Sequence, residues 1–161
     1  METNSVSDQE KFMRAALLEA RRAALAGDVP VGAVVVKDGK IIARGRNRRE
    51  ERGDPTAHAE IEALRKAAGK LGGWYLHDCT LYATLEPCPM CAGAAMQARL
   101  EAVVFGAWDP KAGCCGSLMN LLGDMRFAHR LAMRGGLLAE ECAEVLKAFF
   151  QQRRDAGFIL T

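Results

Sequence analysis

The sequence lacks any large excess of charge of one sign. Its 161 residues include 22 Lys and Arg against 20 Asp and Glu, which gives a formal net charge of +2 at pH 7. A protein that binds nucleic acid over much of its surface usually carries a strongly basic total charge. A nucleic-acid site in this chain would therefore have to be a local basic patch.

Long apolar runs are also missing. Charged residues interrupt every apolar stretch well before the roughly 20 residues that a membrane-spanning helix needs. The first residues, METNSVSDQEKFM, contain no basic segment followed by an apolar one, so they do not resemble a signal peptide. We therefore expect a cytoplasmic protein that makes no contact with a membrane.

The chain has no internal repeat, no low-complexity tract and no linker, so we expect a single domain over residues 1–161. A core of this size needs no disulfides, and the reducing cytoplasm disfavours them. The six cysteines are therefore expected to be core residues, metal ligands or reactive thiols.

The first part of the chain predicts one helix and a hairpin. The capping-box sequence SDQE at residues 7–10 predicts the start of the helix. Asp38-Gly39 is a hairpin-turn dipeptide between two predicted strands, residues 31–36 and 40–47. Residues 48–55 are polar and basic, and we expect a loop there.

The second part of the chain alternates helices and strands. Thr56 is predicted to cap a second helix, and a final amphipathic helix is expected over residues 137–155. Between them we expect a strand, a helix, a strand and a short last strand, at residues 79–86, 87–98, 101–108 and 129–134. This order predicts an α/β fold, a three-layer α/β/α sandwich with a central mixed five-stranded sheet.

Two short motifs point to a metal site. In EPCPMC, Cys88 and Cys91 are separated by two residues at the start of a predicted helix, which places both sulfurs on one face. Two thiolates and one imidazole suit zinc, and three protein ligands leave a fourth position open for water. His58, in TAHAEIEAL, is the candidate third ligand. A fourth ligand would make the zinc structural, and three other cysteines remain open for that role: Cys79, Cys114 and Cys115.

The two motifs together form the pattern H-x-E, about 30 residues, then P-C-x-x-C, which is the signature of zinc nucleobase deaminases. Each half lies at the N-terminus of a predicted helix, where the helix dipole favours thiolate and hydroxide charges. Glu60, two residues after His58, is placed to reach a water molecule without being a ligand.

The chain resembles the bacterial tRNA-specific adenosine deaminases of the TadA type, within the cytidine-deaminase-like superfamily. The resemblance covers nearly the whole chain. It rests on the segments VPVGAVVV, GRNRRE, DPTAHAEIEALR, TLYATLEPCPMCAGA, VVFGAWDPKAGCCGSLMNLL and ECAEVLKAFFQQRR. It implies zinc-dependent hydrolysis of adenosine to inosine at the wobble position of a tRNA anticodon.

The resemblance also assigns roles to individual residues. It implies that one zinc ion per subunit is bound by His58, Cys88 and Cys91, and that Glu60 is the catalytic proton shuttle. The positions expected to contact the substrate are Asn47, Ala59, Val29, Asp109, Phe149, Arg153 and Arg154, the last three on a C-terminal helix that approaches RNA. The partners implied are the anticodon stem–loop of a tRNA and a second copy of the chain.

Several of these residues also have simpler interpretations. Asn47 suits a turn at a strand end, Phe149 suits the core face of an amphipathic helix, and Arg153 and Arg154 suit a helix C-terminus. The adjacent Cys114 and Cys115 would be prone to oxidation if they were exposed.

A local basic patch is present near Asn47. Residues 44–52 contain five arginines and two glutamates, an excess of +3. We expect this run to contact the RNA backbone, which would make binding salt-dependent.

Two other functions share parts of this pattern. A deaminase of a free base, nucleoside or nucleotide, such as guanine, cytidine or deoxycytidine monophosphate, would use the same zinc site. A structural zinc module that binds RNA would need a fourth protein ligand and would have no use for Glu60.

Overall fold

The central sheet begins with the predicted hairpin. In the computed structural model, which describes residues 4–158, strand β1 (Gly32–Lys37) pairs antiparallel with β2 (Lys40–Arg46). Asp38 and Gly39 between them have φ angles of 50° and 71°. Positive φ at both positions is what a two-residue type I′ turn requires, so the predicted turn is confirmed.

Three more strands complete a mixed sheet of five in the order β2-β1-β3-β4-β5. Strand β3 (Cys79–Leu85) pairs antiparallel with β1, whereas β4 (Ala102–Ala107) and β5 (Ala132–Arg134) continue in parallel. Helices cover both faces. The predicted three-layer sandwich is therefore confirmed.

Side chains alternate between the two faces of the sheet, as strand geometry dictates. Val34 and Tyr82 are paired on one face and pack against Phe12 and Met13 of helix α1 (Val6–Leu25). The last helix, α5 (Ala139–Asp155), covers the same face.

The opposite face is covered by helices α3 (Ala59–Leu71) and α4 (Pro89–Gln97). Val35 and Leu81 are paired on this face, and both are fully buried. The alanine-rich sides of α3 and α4 let these helices lie close to the sheet, which sets where their N-termini meet.

The structure corrects two predicted helix starts. Ser5, not Ser7, caps α1, because its Oγ accepts a hydrogen bond from Asp8 N at 3.2 Å. Thr56 does not cap α3, because its N–H and hydroxyl both donate to Asp54 Oδ1. His58 occupies the N-cap position of α3 instead.

A third correction concerns the predicted basic loop at residues 48–55, which contains a short helix, α2 (Arg49–Arg52). The buried carboxylate of Asp28 accepts hydrogen bonds from Glu50 N at 2.7 Å and Glu51 N at 3.1 Å. This capping group comes from 22 residues upstream, so the local sequence does not reveal it. Within residues 4–158, no helix is both long and apolar enough to cross a bilayer.

Candidate active site

The two sequence motifs meet at the N-termini of α3 and α4. His58 and Cys88 are the N-cap residues of these helices, and both have extended backbone conformations. Pro89 occupies the first turn of α4, where the absence of its N–H costs nothing, and Cys91 follows two residues later. Because α3 and α4 start at the same edge of the sheet, the two motifs face each other.

The ligand atoms of His58, Cys88 and Cys91 all lie within 4.8 Å of one another. His58 Nδ1 is 3.7 Å from Cys88 Sγ and 3.5 Å from Cys91 Sγ. A tetrahedral zinc with Zn–S and Zn–N bonds of about 2.3 and 2.1 Å requires a nitrogen–sulfur separation of about 3.6 Å. The cluster therefore fits a zinc site in donor type and in spacing.

The two thiols differ in how readily they ionise. The contact between their side chains lowers the pKa of Cys88 to about 4, and the same contact raises the pKa of Cys91. The hydrogen bond between Cys88 and His58 raises the pKa of the imidazole. A zinc ion at this position would bind both cysteines as thiolates, because metal ligands must be deprotonated.

No fourth ligand completes the cluster within residues 4–158. Cys79 is buried in β3, and Cys114 Sγ donates to the carbonyl of Ala112. Cys115 is also buried, so the adjacent pair is not exposed. Three protein ligands and an open fourth position are the arrangement of a catalytic zinc site rather than a structural one.

Glu60 lies beside the cluster in the first turn of α3. Its Oε2 accepts a hydrogen bond from Cys91 Sγ at 3.4 Å, and the residue is almost completely buried. Burial raises the pKa of the Glu60 carboxyl. A buried carboxyl group with a raised pKa beside a metal site is suited to receive a proton and give it back.

A cavity of about 220 Å³ opens onto the cluster. Its lining includes seven of the predicted site residues: Val29, Asn47, His58, Ala59, Glu60, Cys88 and Asp109. Five other residues also line it: Val31, Arg49, Leu85, Glu86 and Ala112. Residues from five separate parts of the chain thus surround one small space beside the three candidate ligands.

Comparisons with known proteins agree with this geometry. A model of the MafB19-like deaminase family matches residues 7–154. The tRNA-specific adenosine deaminase of Bacillus subtilis (strain 168) is 50% identical over 149 residues, which are 92% of each chain. The chain belongs to the tRNA-specific adenosine deaminase family.

Two solved structures are similar to this member of the tRNA-specific adenosine deaminase family in fold and in sequence. One comes from a study of A-to-I editing by tRNA:A34 deaminases at the wobble position of transfer RNA. It is 45% identical with a TM-score of 0.81, over 84% of this chain and 99% of that one. The other is a guanine deaminase from Nitrosomonas europaea, 28% identical with a TM-score of 0.77, over 87% and 83%.

Asn47 is held in the cavity wall by both ends of its amide. Its Nδ2 donates to Val29 O at 3.0 Å, and its Oδ1 accepts from Arg49 N at 3.2 Å. The residue therefore ends a strand and forms part of the pocket at the same time. The two interpretations of Asn47 from the sequence are compatible.

The three predicted contacts on α5 do not line the cavity. Phe149 is buried against the body of the protein, and Arg154 donates to Gln151 Oε1. The Arg153 guanidinium donates to Gly27 O at 2.7 Å and lies 4.8 Å from the centroid of the Phe149 ring. Their contacts with RNA stay a prediction.

Sequence reasoning missed two buried carboxylates. Asp28 caps α2 next to the cavity wall, and Glu86 lines the cavity directly. Burial opposes ionisation of Glu86, but hydrogen bonds from Ser117 and from backbone N–H groups hold its pKa below the usual value. The position of Glu86 just before the C-x-x-C motif was the one available signal. For Asp28 the sequence offered none.

Proposed function

We propose that this chain hydrolyses adenosine to inosine at the wobble position of a tRNA anticodon, with one zinc ion per subunit. The observation that carries the proposal is the His58, Cys88 and Cys91 cluster opening onto a small cavity that also contains Glu60. The substrate is suggested by the family, whose relatives are named for tRNA adenosine. We also propose that residues 1–161 form one catalytic domain and that the protein acts on tRNA in the cytoplasm.

His58, Cys88 and Cys91 would hold the zinc ion. When bound, zinc supplies the Lewis acidity that makes a water molecule nucleophilic near neutral pH. Glu60 accepts a proton from the attacking water and delivers it to N1 of adenine while C6 is attacked. Glu60 then takes the proton of the hydroxyl group now bonded to C6 and gives it to the amino group, which leaves as ammonia, so one carboxyl group acts first as base and then as acid.

The cavity suits one nucleobase. Its volume of 220 Å³ is below the range of about 300–1,000 Å³ that is typical of pockets that enclose drug-sized ligands. A base in an anticodon loop must turn out of the stack to enter, which costs less in a loop than in a duplex. Asn47, Val29, Asp109 and the backbone at Ala59 would then surround the base and its ribose.

The rest of the RNA would lie outside the cavity, next to exposed cations. Arg44 and Arg49 are exposed and form no ion pair within residues 4–158, and Arg49 also lines the cavity. Phosphate contacts at such positions supply affinity that does not depend on sequence. The C-terminal residues Phe149, Arg153 and Arg154 would act at the edge of this surface.

A homodimer is part of the proposal. An apolar groove runs between α3 and α4, and at its edge Trp74 is 69% exposed. Its lining residues are Ile61, Leu64, Arg65, Ala68, Trp74, Leu76, Ala94, Gln97 and Ala98. Covering this groove with a second copy would bury apolar surface that water otherwise contacts. Light scattering tests this: Trp74→Asp should yield monomers, and an unchanged dimer would place the interface elsewhere.

A deamination assay on the zinc-loaded protein tests the function. The substrates are an anticodon stem–loop with adenosine at the wobble position and, separately, free adenosine, guanine, cytidine and deoxycytidine monophosphate. We expect inosine in the stem–loop alone. Turnover of a free base, nucleoside or nucleotide would favour the alternative function. Glu60→Ala should retain zinc and lose about 10²–10⁴-fold in rate. Full activity in that variant would rule out the assigned role.

A further inference from the structure

Glu86 is a buried carboxylate that the proposed chemistry does not use. Only 2% of it is exposed, and no Lys or Arg forms an ion pair with it within residues 4–158. A buried charge without a cationic partner is costly unless hydrogen bonds replace its hydration. The donors that do so all come from one segment, residues 109–117.

Four donors surround the two oxygens of Glu86. Oε1 accepts from Asp109 N at 2.9 Å and from the Ser117 hydroxyl. Oε2 accepts from Cys115 N at 3.0 Å and from Ser117 N at 3.0 Å. Each oxygen uses both of its acceptor positions, which an ionised carboxylate can do and a carboxamide cannot.

Glycine at residue 113 lets the segment pass very close to this carboxylate. A Cβ on Gly113 would lie 2.2 Å from the carboxyl carbon of Glu86. Real Cβ atoms do not approach other atoms so closely, so any larger residue would displace either the carboxylate or the segment from this contact. The backbone at Gly113 and the carboxyl group of Glu86 are therefore packed directly against each other.

The anchored segment forms one wall of the cavity, through Asp109 and Ala112. Asp109 Oδ1 also accepts from Ala112 N at 3.3 Å, so the two wall residues move together. On the other side, Glu86 is joined through Pro87 to Cys88, a candidate zinc ligand. Pro87 O accepts from Cys114 N at 2.9 Å, which adds a second tie between the same two parts of the chain.

We propose that Glu86 is a positioning residue that fixes the distance between the metal site and the opposite wall of the nucleobase pocket. This role rests on the proposed deaminase function. Glu86 is not assigned a catalytic role, because its four acceptor positions are already filled by the protein. The tripeptide Glu86-Pro87-Cys88 thus carries a ligand at one end and holds the pocket wall at the other.

The substitution Glu86→Gln tests this role, since it keeps the shape but places an amide NH₂ against two of the four donors. We expect zinc content to remain near one per chain and KM for the stem–loop to rise about tenfold or more. The effect on kcat should be smaller, because the wall contacts the base in both ground and transition states. Backbone amides of residues 109–117 should exchange hydrogen for deuterium faster.

Two further variants keep the test decisive. Ser117→Ala removes one donor and should give a smaller change in the same direction, even if Glu86→Gln does not fold. Glu101→Gln is the matched control, because Glu101 precedes β4 at the far end of the sheet, away from the cavity. It should leave exchange and KM unchanged.

Two results would overturn the positioning role. One is unchanged deuterium exchange over residues 109–117 in Glu86→Gln. The other is a fall in kcat alone, of about 10³-fold or more, which would instead make Glu86 an acid or base. Hydrogen exchange needs no substrate, so it tests the anchor even if the wild-type protein does not deaminate the stem–loop. In that case KM is measured on whichever free substrate the wild type converts.

Discussion

Gly45 lies in β2, directly beneath α3, the helix that begins next to His58. A Cβ at this position would be 2.3 Å from Ala59 O and 2.6 Å from Ala63 N. Contacts between a carbon and other heavy atoms normally measure about 3.5–4.0 Å. Because both neighbours are backbone atoms of α3, Gly45→Ala should push the helix outward by about 1 Å.

The displacement should reduce both stability and zinc affinity. Overpacking of this kind costs about 1–3 kcal/mol. For a chain of this length each kcal/mol lowers Tm by about 2–4 °C, so Tm should fall by roughly 2–12 °C. Metal–ligand distances tolerate deviations of only about 0.2 Å, so a shift of His58 relative to Cys88 should weaken zinc binding about tenfold or more.

Gly69→Ala, a substitution within α3 itself, is the matched control. Gly69 is exposed, and a Cβ there would contact nothing within 4 Å. The substitution should therefore stabilise the protein by about 0.5–1 kcal/mol through helix propensity alone. Thermal unfolding and competition with a chromophoric zinc chelator measure both quantities. If Gly45→Ala has the Tm and zinc affinity of the wild type, then a displacement of α3 does not move His58 away from Cys88, and the reasoning is refuted.

Three further outcomes follow from the structure. Asp28→Asn should lower the free energy of unfolding, measured by chemical denaturation, by about 1–3 kcal/mol. Because it loosens α2 beside the cavity, it should also raise KM more than it lowers kcat. Wild-type stability and kinetics in this variant would refute the role of Asp28. Arg44→Ala should reduce the slope of log affinity against log salt by about 0.7–0.9, and an unchanged slope would mean that Arg44 contacts no phosphate. Removing zinc with a chelator should abolish deamination and lower Tm, both restored by added zinc, because metal binds the folded site. Activity that survives verified zinc removal would exclude a catalytic zinc.

The parts of the fold that the sequence predicted are those that depend on neighbours in the chain. The Asp38-Gly39 turn needs only two residues with positive φ, and the C-x-x-C spacing needs only one helical turn. The two halves of the zinc cluster could be joined in advance because their pattern is a known signature. The α/β order of elements then placed them in a sandwich.

The parts that were missed depend on residues distant in sequence. Helix α2 exists because Asp28 caps it from 22 positions upstream. Glu86 matters because a segment that begins 23 residues later folds back over it. Asp28 carries no local pattern that distinguishes it from a surface residue, and the one local signal for Glu86 is its position just before the C-x-x-C motif. Such contacts form only once the sheet has brought the two segments together.

Contacts formed on folding also reduce the number of arginines in the run at residues 44–52 that are free to bind RNA. The run at residues 44–52 has an excess of +3 when all its charges are counted equally. In the folded protein Arg46 and Arg48 both pair with Glu51, and Arg52 pairs with Glu62 of α3, outside the run. The run therefore offers two unpaired arginines rather than five. Two phosphate contacts to single-stranded RNA predict a salt slope of about −1.4, against about −3.5 for five. A slope near the larger value would mean that the ion pairs open when RNA binds.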